Sequence, residues 1–168
     1  MFEMAFGSGA RIGELVSLNI EDIILIEKTV LLKGKGRGEK KLRFVPLTDV
    51  SVKAIQEYLT RRNAINGALF VSVSGRRMTK SAIYQRFKLW SAWNPHLFRK
   101  AFATYLLRNG CSTEILSTFL GHSQASTLSH YTHLTTADLQ NSIHRSHPRS
   151  PSFSGKNRDQ ADALAAAT

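Results

Sequence analysis

Residues 94–121 constrain the fold more than any other stretch, because the start of one helix and the ends of two consecutive helices are marked within it. Asn94 can cap a helix N-terminus, and Pro95 suits the first helical position, where no N–H is required. Ala101, Phe102, Tyr105 and Leu106 recur at helical spacing, and Asn109-Gly110 supplies a left-handed stop. A second apolar run, Ile115, Leu116, Phe119 and Leu120, ends at Gly121. His96 and Arg99 stand three apart at the start of the first helix, on one face of it. Backbone N–H groups and the helix dipole also favour an anion there. His122 follows the second stop, and Tyr131 falls in a polar segment with Ser126, Thr127, Ser129 and His130, where core tyrosines are seldom found. Two histidines, an arginine and a tyrosine so arranged predict a phosphate site with a phenolic nucleophile.

Charge points the same way. The chain carries a formal +11, but residues 33–108 hold 17 Lys/Arg against Glu39, Asp49 and Glu57, a local balance of +14. Basic charge concentrated in one stretch predicts a polyanionic partner, nucleic acid being the common one. At 168 residues the chain is long enough for one domain with its own core, and no apolar run is long enough to span a bilayer. No secretory signal is expected, and the single Cys111 excludes an internal disulfide and fits a reducing cytoplasm.

Taken in order, residues 2–6 read as the last turn of a helix, followed by a bend at Gly7-Ser8-Gly9 from which Arg11 emerges. Ile12, Leu15, Val16 and Leu18 continue at helical spacing, with Glu14 beside Arg11. Ile23–Ile26 and Thr29–Leu32 are strand-like, and Lys33 to Lys41 alternates glycine with lysine as a hairpin turn whose lysines could reach phosphates. Pro46 closes the second hairpin strand. Thr48 caps a helix over Val52, Ile55, Tyr58 and Leu59 that is expected to end near Asn66-Gly67. Leu69–Val71 is a buried segment, Gly75-Arg76-Arg77 a basic turn, and Thr79 the cap of a helix through Ile83, Phe87 and Trp90. Arg76, Arg77, Lys80, Arg86 and Lys88 look like phosphate positioners that read no bases. Trp90 and Trp93 fit a core better than a base-stacking platform. Thr135 and Asp138 open a last helix through Leu139 and Ile143. From Pro148 onward Ser, Pro, Gly, Asn and Arg dominate, which predicts a disordered tail over 148–168.

His122, His130 and His133 lack the spacing and cysteine partners of a zinc site, and no nucleophile elbow marks a hydrolase. No metal or cofactor is expected. The motifs together resemble the tyrosine recombinase (phage integrase) family, and most closely its Xer-type branch. Gly9-Ala10-Arg11-Ile12-Gly13-Glu14-Leu15 is similar to its first-arginine motif. Gly34-Lys35-Gly36 with Arg43-Phe44-Val45-Pro46-Leu47 is similar to its hairpin-lysine motif. Pro95-His96-Leu97-Phe98-Arg99 with Phe102-Ala103-Thr104 matches its His-x-x-Arg helix. Leu120-Gly121-His122 and Tyr131-Thr132-His133 match the second histidine and the nucleophile segment.

The resemblance implies an α+β, mainly α-helical catalytic domain over 1–147, with a small three-stranded sheet or hairpin against a helical bundle. It implies that the family's N-terminal DNA-clamping domain and about one helix are missing ahead of Arg11. Tyr131 would attack a DNA phosphodiester to give a 3′-phosphotyrosyl link, and Arg11 and Arg99 would clamp the non-bridging oxygens, with His122 as a further donor. Lys35 would protonate the leaving 5′-oxygen, and His96 would assist proton transfer at Tyr131. Lys33, Arg37, Lys40, Lys41 and Arg43 join Arg76, Arg77, Lys80, Arg86 and Lys88 as expected DNA contacts. The implied partners are double-stranded DNA and a homo-tetramer, or a hetero-tetramer with a paralogue, in a prokaryotic cytoplasm at the nucleoid, with no membrane contact. Thr136–Arg145 would dock on a neighbouring protomer. Lys100 stands where the family usually has another histidine, and the Trp90–Asn94 connection is shorter than usual. Two rival functions are a DNA-binding remnant that cannot complete strand exchange and a type IB topoisomerase-like enzyme.

Overall fold

A computed structural model of the chain describes residues 1–34, 41–64, 66–90, 94–121 and 136–150, apart from the side chains of Lys41, Trp90 and Thr136. Among these lie α1 (Phe2–Ser8), α2 (Ile12–Ser17), a 3₁₀ turn (Ile20–Asp22), β1 (Ile23–Ile24), β2 (Thr29–Gly34), β3 (Lys41–Pro46) and α3 (Asp49–Arg62). There follow α4 (Lys80–Trp90), α5 (Pro95–Arg108), α6 (Thr113–Leu120) and α7 (Thr136–Ser146). The architecture is the expected mainly helical α+β one, with one antiparallel sheet among the described residues, in the order β1-β2-β3.

The N-terminal helix is longer than the sequence suggests. Gly7 and Ser8 belong to α1, because the Ser8 hydroxyl donates back to the Met4 carbonyl and satisfies it inside the helix. Only Gly9 turns, with φ of 59°. A side chain there would be strained in that left-handed conformation, and its Cβ would come within 2.5 Å of the Phe102 ring. This close contact seats the α1–α2 corner on α5, two residues ahead of Arg11.

The sheet fixes which side chains face inward. Val30 pairs with Val45 and Leu32 with Arg43, and these four share the buried face. Leu42 and Phe44 lie on the other face, 60% and 48% exposed. In the stretch Leu42-Arg43-Phe44-Val45, parity alone could turn either pair inward, and the fold buries the pair that contains the arginine.

The cap residues act as their types predict. The Thr48 hydroxyl accepts from Ser51 N–H at 3.2 Å, and the Thr79 hydroxyl accepts from Ala82 N–H at 3.1 Å. Asn94 Oδ1 accepts from both His96 and Leu97 N–H at 3.0 Å, while Ser112 caps α6 through Ile115 N–H. Each such cap contributes about 1 kcal/mol. α3 stops at Asn63, short of the expected Asn66-Gly67, because Asn63 itself takes the left-handed conformation and its N–H closes on Leu59 and Thr60. The Arg62 guanidinium then spans to the Ala68 and Leu69 carbonyls.

The core runs from α1 across α5 to α6 and the inner sheet face, with Met4, Leu15, Leu32, Phe87, Phe102, Leu106 and Phe119 fully buried. α7 lies on its own chain, against α5 and β3. Leu139 and Ile143 are buried there, Gln140 Nε2 donates to the Glu27 carbonyl at 2.6 Å, and the Ser146 hydroxyl donates to the Asn109 carbonyl at 3.1 Å. Packed chain also continues past the expected boundary at 148. Ser150 is buried, and Arg149 pairs with Glu3 at 3.1 Å. The rest of the expected tail, 151–168, lies outside the described residues.

His147 is fully buried against Phe6 and Phe102. Its Nδ1 accepts from Arg149 N–H, so the neutral tautomer carries its proton on Nε2, which faces the Phe6 carbonyl at 3.3 Å. Burial, helped by the Arg149 charge, pushes the imidazole pKa from 6.5 down to about 4. Between these values the unfolded chain binds more protons than the folded one, so stability rises with pH, is complete above 6.5 and is lost as pH falls through 4. The full effect is about 3 kcal/mol. Urea unfolding at pH 7 and pH 5 should show about 2 kcal/mol of this loss in the wild type, and His147→Gln should flatten the dependence across that window.

Candidate active site

Arg11 occupies the N-cap of α2 in an extended conformation. Its backbone N–H donates to Glu14 Oε2 at 2.7 Å, and its Nη1 reaches Glu14 Oε1 at 3.3 Å. The Glu14 side chain is 4% exposed, whereas that of Arg11 is 45% exposed, so the carboxylate is inside and the guanidinium reaches out over it. Burial alone would raise the Glu14 pKa. The hydrogen bonds and charges of Arg43 and Arg11 outweigh it and hold the carboxyl below its usual range.

Arg99 comes from the first turns of α5 and is buried. Its Nη1 donates to the Gly9 carbonyl at 2.6 Å and its Nη2 to the Leu120 carbonyl at 2.7 Å. Burial, and next the charge of Arg11, push its pKa down to about 10, which still leaves the group charged at neutral pH. Through the Gly9 carbonyl, two residues before Arg11, Arg99 is tied to the same α1–α2 corner. With Arg43 and Glu14 the cluster carries two net positive charges, suited to a phosphodiester that gains negative charge as it reacts. His96 is exposed in the first turn of the same helix, one helical step from Arg99, with its backbone N–H fixed by Asn94. Arg11, His96 and Arg99 therefore occupy helix starts around the α1–α2 corner and α5.

The expected DNA contacts divide. Arg76, Lys80, Arg86 and Lys88 are exposed on the turn before α4 and along α4, and Lys80 runs beside Gly13 of α2. Three others have partners inside the fold. Lys33 pairs with the buried Asp22 at 2.6 Å. Arg77 donates to the Val16 and Leu18 carbonyls and to Asn19 Oδ1. Arg43 faces inward with a side chain only 9% exposed, and Glu14 and the Phe119 carbonyl hold its guanidinium. Glu14 was visible in sequence only as a neighbour of Arg11. The available signal was an acid inside an apolar helical stripe, which needs a cation on the facing element. Lys35, Arg37, Lys40, His122 and Tyr131 lie outside the described residues, and Lys41 is placed only as the first residue of β3. Among the described residues, no group of three His, Cys, Asp or Glu is placed to hold a metal ion.

The sequence matches the phage integrase family over residues 1–138. Tyrosine recombinase XerD of Oceanobacillus iheyensis is 34% identical over 163 residues, covering 89% of this chain and 54% of the relative. Tyrosine recombinase XerC of Neisseria meningitidis serogroup C is 37% identical over 169 residues, covering 95% of this chain and 53% of the relative. The chain thus spans about half the length of these curated relatives. Among solved structures, the XerA recombinase superposes with a TM-score of 0.65 at 33% identity, covering 83% of this chain and 52% of that one.

Glu14→Gln keeps the side-chain volume but removes the charge that compensates buried Arg43. Loss of one partner from such a pair costs about 3–5 kcal/mol. Urea unfolding at pH 7 should show a loss of that size. The variant should also lack the share of acid destabilisation that the wild type shows below pH 4.5, where protonation of Glu14 in the unfolded chain begins to win.

Proposed function

Because the chain belongs to the phage integrase family, we propose that it breaks and rejoins double-stranded DNA as the chemical centre of a site-specific recombinase, with Tyr131 as nucleophile. One observation carries the reading. Arg11 and Arg99, from distant parts of the chain, are drawn into one hydrogen-bonded and net positive site, beside exposed basic residues on α4.

In this reaction the Tyr131 oxygen attacks phosphorus, and the bond to the 5′-oxygen breaks. A 3′-phosphotyrosyl bond and a free 5′-hydroxyl result. A phenol titrates at about 10, so loss of its proton needs help at neutral pH, which His96 supplies. Lys35 gives a proton to the departing 5′-oxygen. Arg11 and Arg99 bind the non-bridging oxygens, with His122 as a third donor, and stabilise the extra charge of the pentavalent transition state. The incoming 5′-hydroxyl of another strand reverses the same steps, and the energy of the phosphodiester is kept in the covalent link. No metal or nucleotide takes part. Lys33, Arg37, Lys40, Lys41, Arg76, Arg77, Lys80, Arg86 and Lys88 form the basic surroundings that attract DNA, those without partners inside the fold being the ones able to touch phosphate. Exchange between two duplexes requires four protomers, identical or paired with a paralogue, acting on chromosomal or mobile DNA in the cytoplasm.

A nicked suicide substrate, resolved on a denaturing gel, tests the chemistry. The wild type should form a covalent protein–DNA band, and Tyr131→Phe should form none. Arg99→Ala should slow band formation by about 10²–10³-fold. Absence of the band in the wild type with DNA binding intact would overturn the recombinase reading in favour of a DNA-binding role. Affinity should also fall steeply with salt, since each phosphate contact releases counterions. A flat salt dependence would remove the basic surface from the account.

A further inference from the structure

We propose that Arg43 is a positioning residue for this chemistry: it takes the larger share of Glu14 so that Arg11 stays available to the phosphate, and it makes no DNA contact itself. The inference rests on reading Arg11 and Arg99 as the phosphate clamp.

The argument begins with the sheet. Arg43 lies opposite Leu32 on the buried face of β3, so its guanidinium points away from solvent. Its Nη1 and Nη2 donate to the two Glu14 oxygens at 2.7 and 2.9 Å, and its Nε donates to the Phe119 carbonyl at 2.7 Å. The next carbonyl, Leu120, accepts from Arg99, and the other arm of Arg99 reaches Gly9, two residues before Arg11. Glu14 in turn holds the Arg11 N–H. The groups form a closed ring: Arg11, Glu14, Arg43, the last turn of α6, Arg99, Gly9 and back to Arg11. Gly121 leaves room for it, since a Cβ there would come within 2.9 Å of Arg43 Nη1.

The distances say what the ring does. Glu14 is shared unequally: the bidentate bonds to Arg43 are short, and the side-chain contact with Arg11 is long, at 3.3 Å. A bidentate guanidinium satisfies a carboxylate in a way that a single ammonium does not. With Arg43 removed, the nearest cation to the buried carboxylate is Arg11. That guanidinium would be drawn down onto Glu14 and away from substrate. Arg43 therefore protects the availability of a catalytic group that it never touches.

Two measurements test this. The first is the single-turnover rate of covalent complex formation at saturating suicide DNA, alongside DNA affinity across a salt series. Arg43→Ala should lower the saturating rate about a hundredfold, as displacement of a catalytic group by about 1 Å does, with affinity and salt slope falling by no more than the one phosphate contact of Arg11. Arg43→Lys should retain an intermediate rate. The double variant Glu14→Gln/Arg43→Ala should be at least about tenfold faster than Arg43→Ala, because no free carboxylate remains to capture Arg11. The proposal fails if Arg43→Ala cleaves at the wild-type rate, if the double variant is no faster than the single one, or if affinity and salt slope fall while the saturating rate holds.

The second measurement needs no cleavage: modification of Arg11 by phenylglyoxal, followed by peptide mass spectrometry. Arg11 should react in the wild type, be protected in Arg43→Ala and react again in the double variant; unchanged reactivity overturns the proposal. Should Arg43→Ala not fold, Arg43→Lys and the double variant carry both measurements. A wild type that forms no covalent band but shows this protection pattern would sink the recombinase reading while leaving the control of Arg11 by Arg43 in place.

Discussion

The buried carboxylate of Glu14 is the constraint on which the surrounding structure depends. An ionised acid inside a core is tolerated only when its oxygens are filled with charge-assisted donors. Here the donors come from α2 itself, through the Arg11 N–H and side chain, and from β3, through Arg43. The sheet is thereby locked against the first helices, and β3 has one allowed parity. The same bonds pass through Arg43 to the end of α6 and through Arg99 to the α1–α2 corner. An electrostatic necessity in the core thus determines where the exposed arginine of the site can stand.

Helix starts were legible in the sequence because each depends on a local pattern. Thr48, Thr79 and Asn94 all accept from N–H groups two or three residues on, whereas the Ser112 cap of α6 emerged only in the structure. Helix ends were less legible. Asn63 and Gly67 both adopt positive φ, and nothing local in the sequence says which of them stops α3. Ser8 hid inside what looked like a bend, because its hydroxyl serves the helix rather than breaking it. The pattern Leu42-Arg43-Phe44-Val45 alternates equally well either way, and only the facing acid decides it. The arginines and the histidine at helix starts were readable from spacing. Which basic residues had partners inside the fold was not, since the partners of Lys33, Arg77 and Arg43 are mostly backbone carbonyls or acids on other elements.

Four phenylalanines and a buried histidine join the two ends of the described chain. Phe2 meets Phe87 and Phe98, while Phe6 meets Phe98, Tyr105 and His147. The first helix is therefore held by residues from α4, from α5 and from the segment after α7. Such contacts have very long sequence separation, the kind that slows folding because chain entropy is lost before they can form. A ribosome delivers α1 well before its distant anchor His147. Throughout synthesis the apolar face of α1 must wait for its partners, exposed to other chains or to chaperones. The corner that carries Arg11 is correspondingly fully anchored only once residues as distant as His147 have been made.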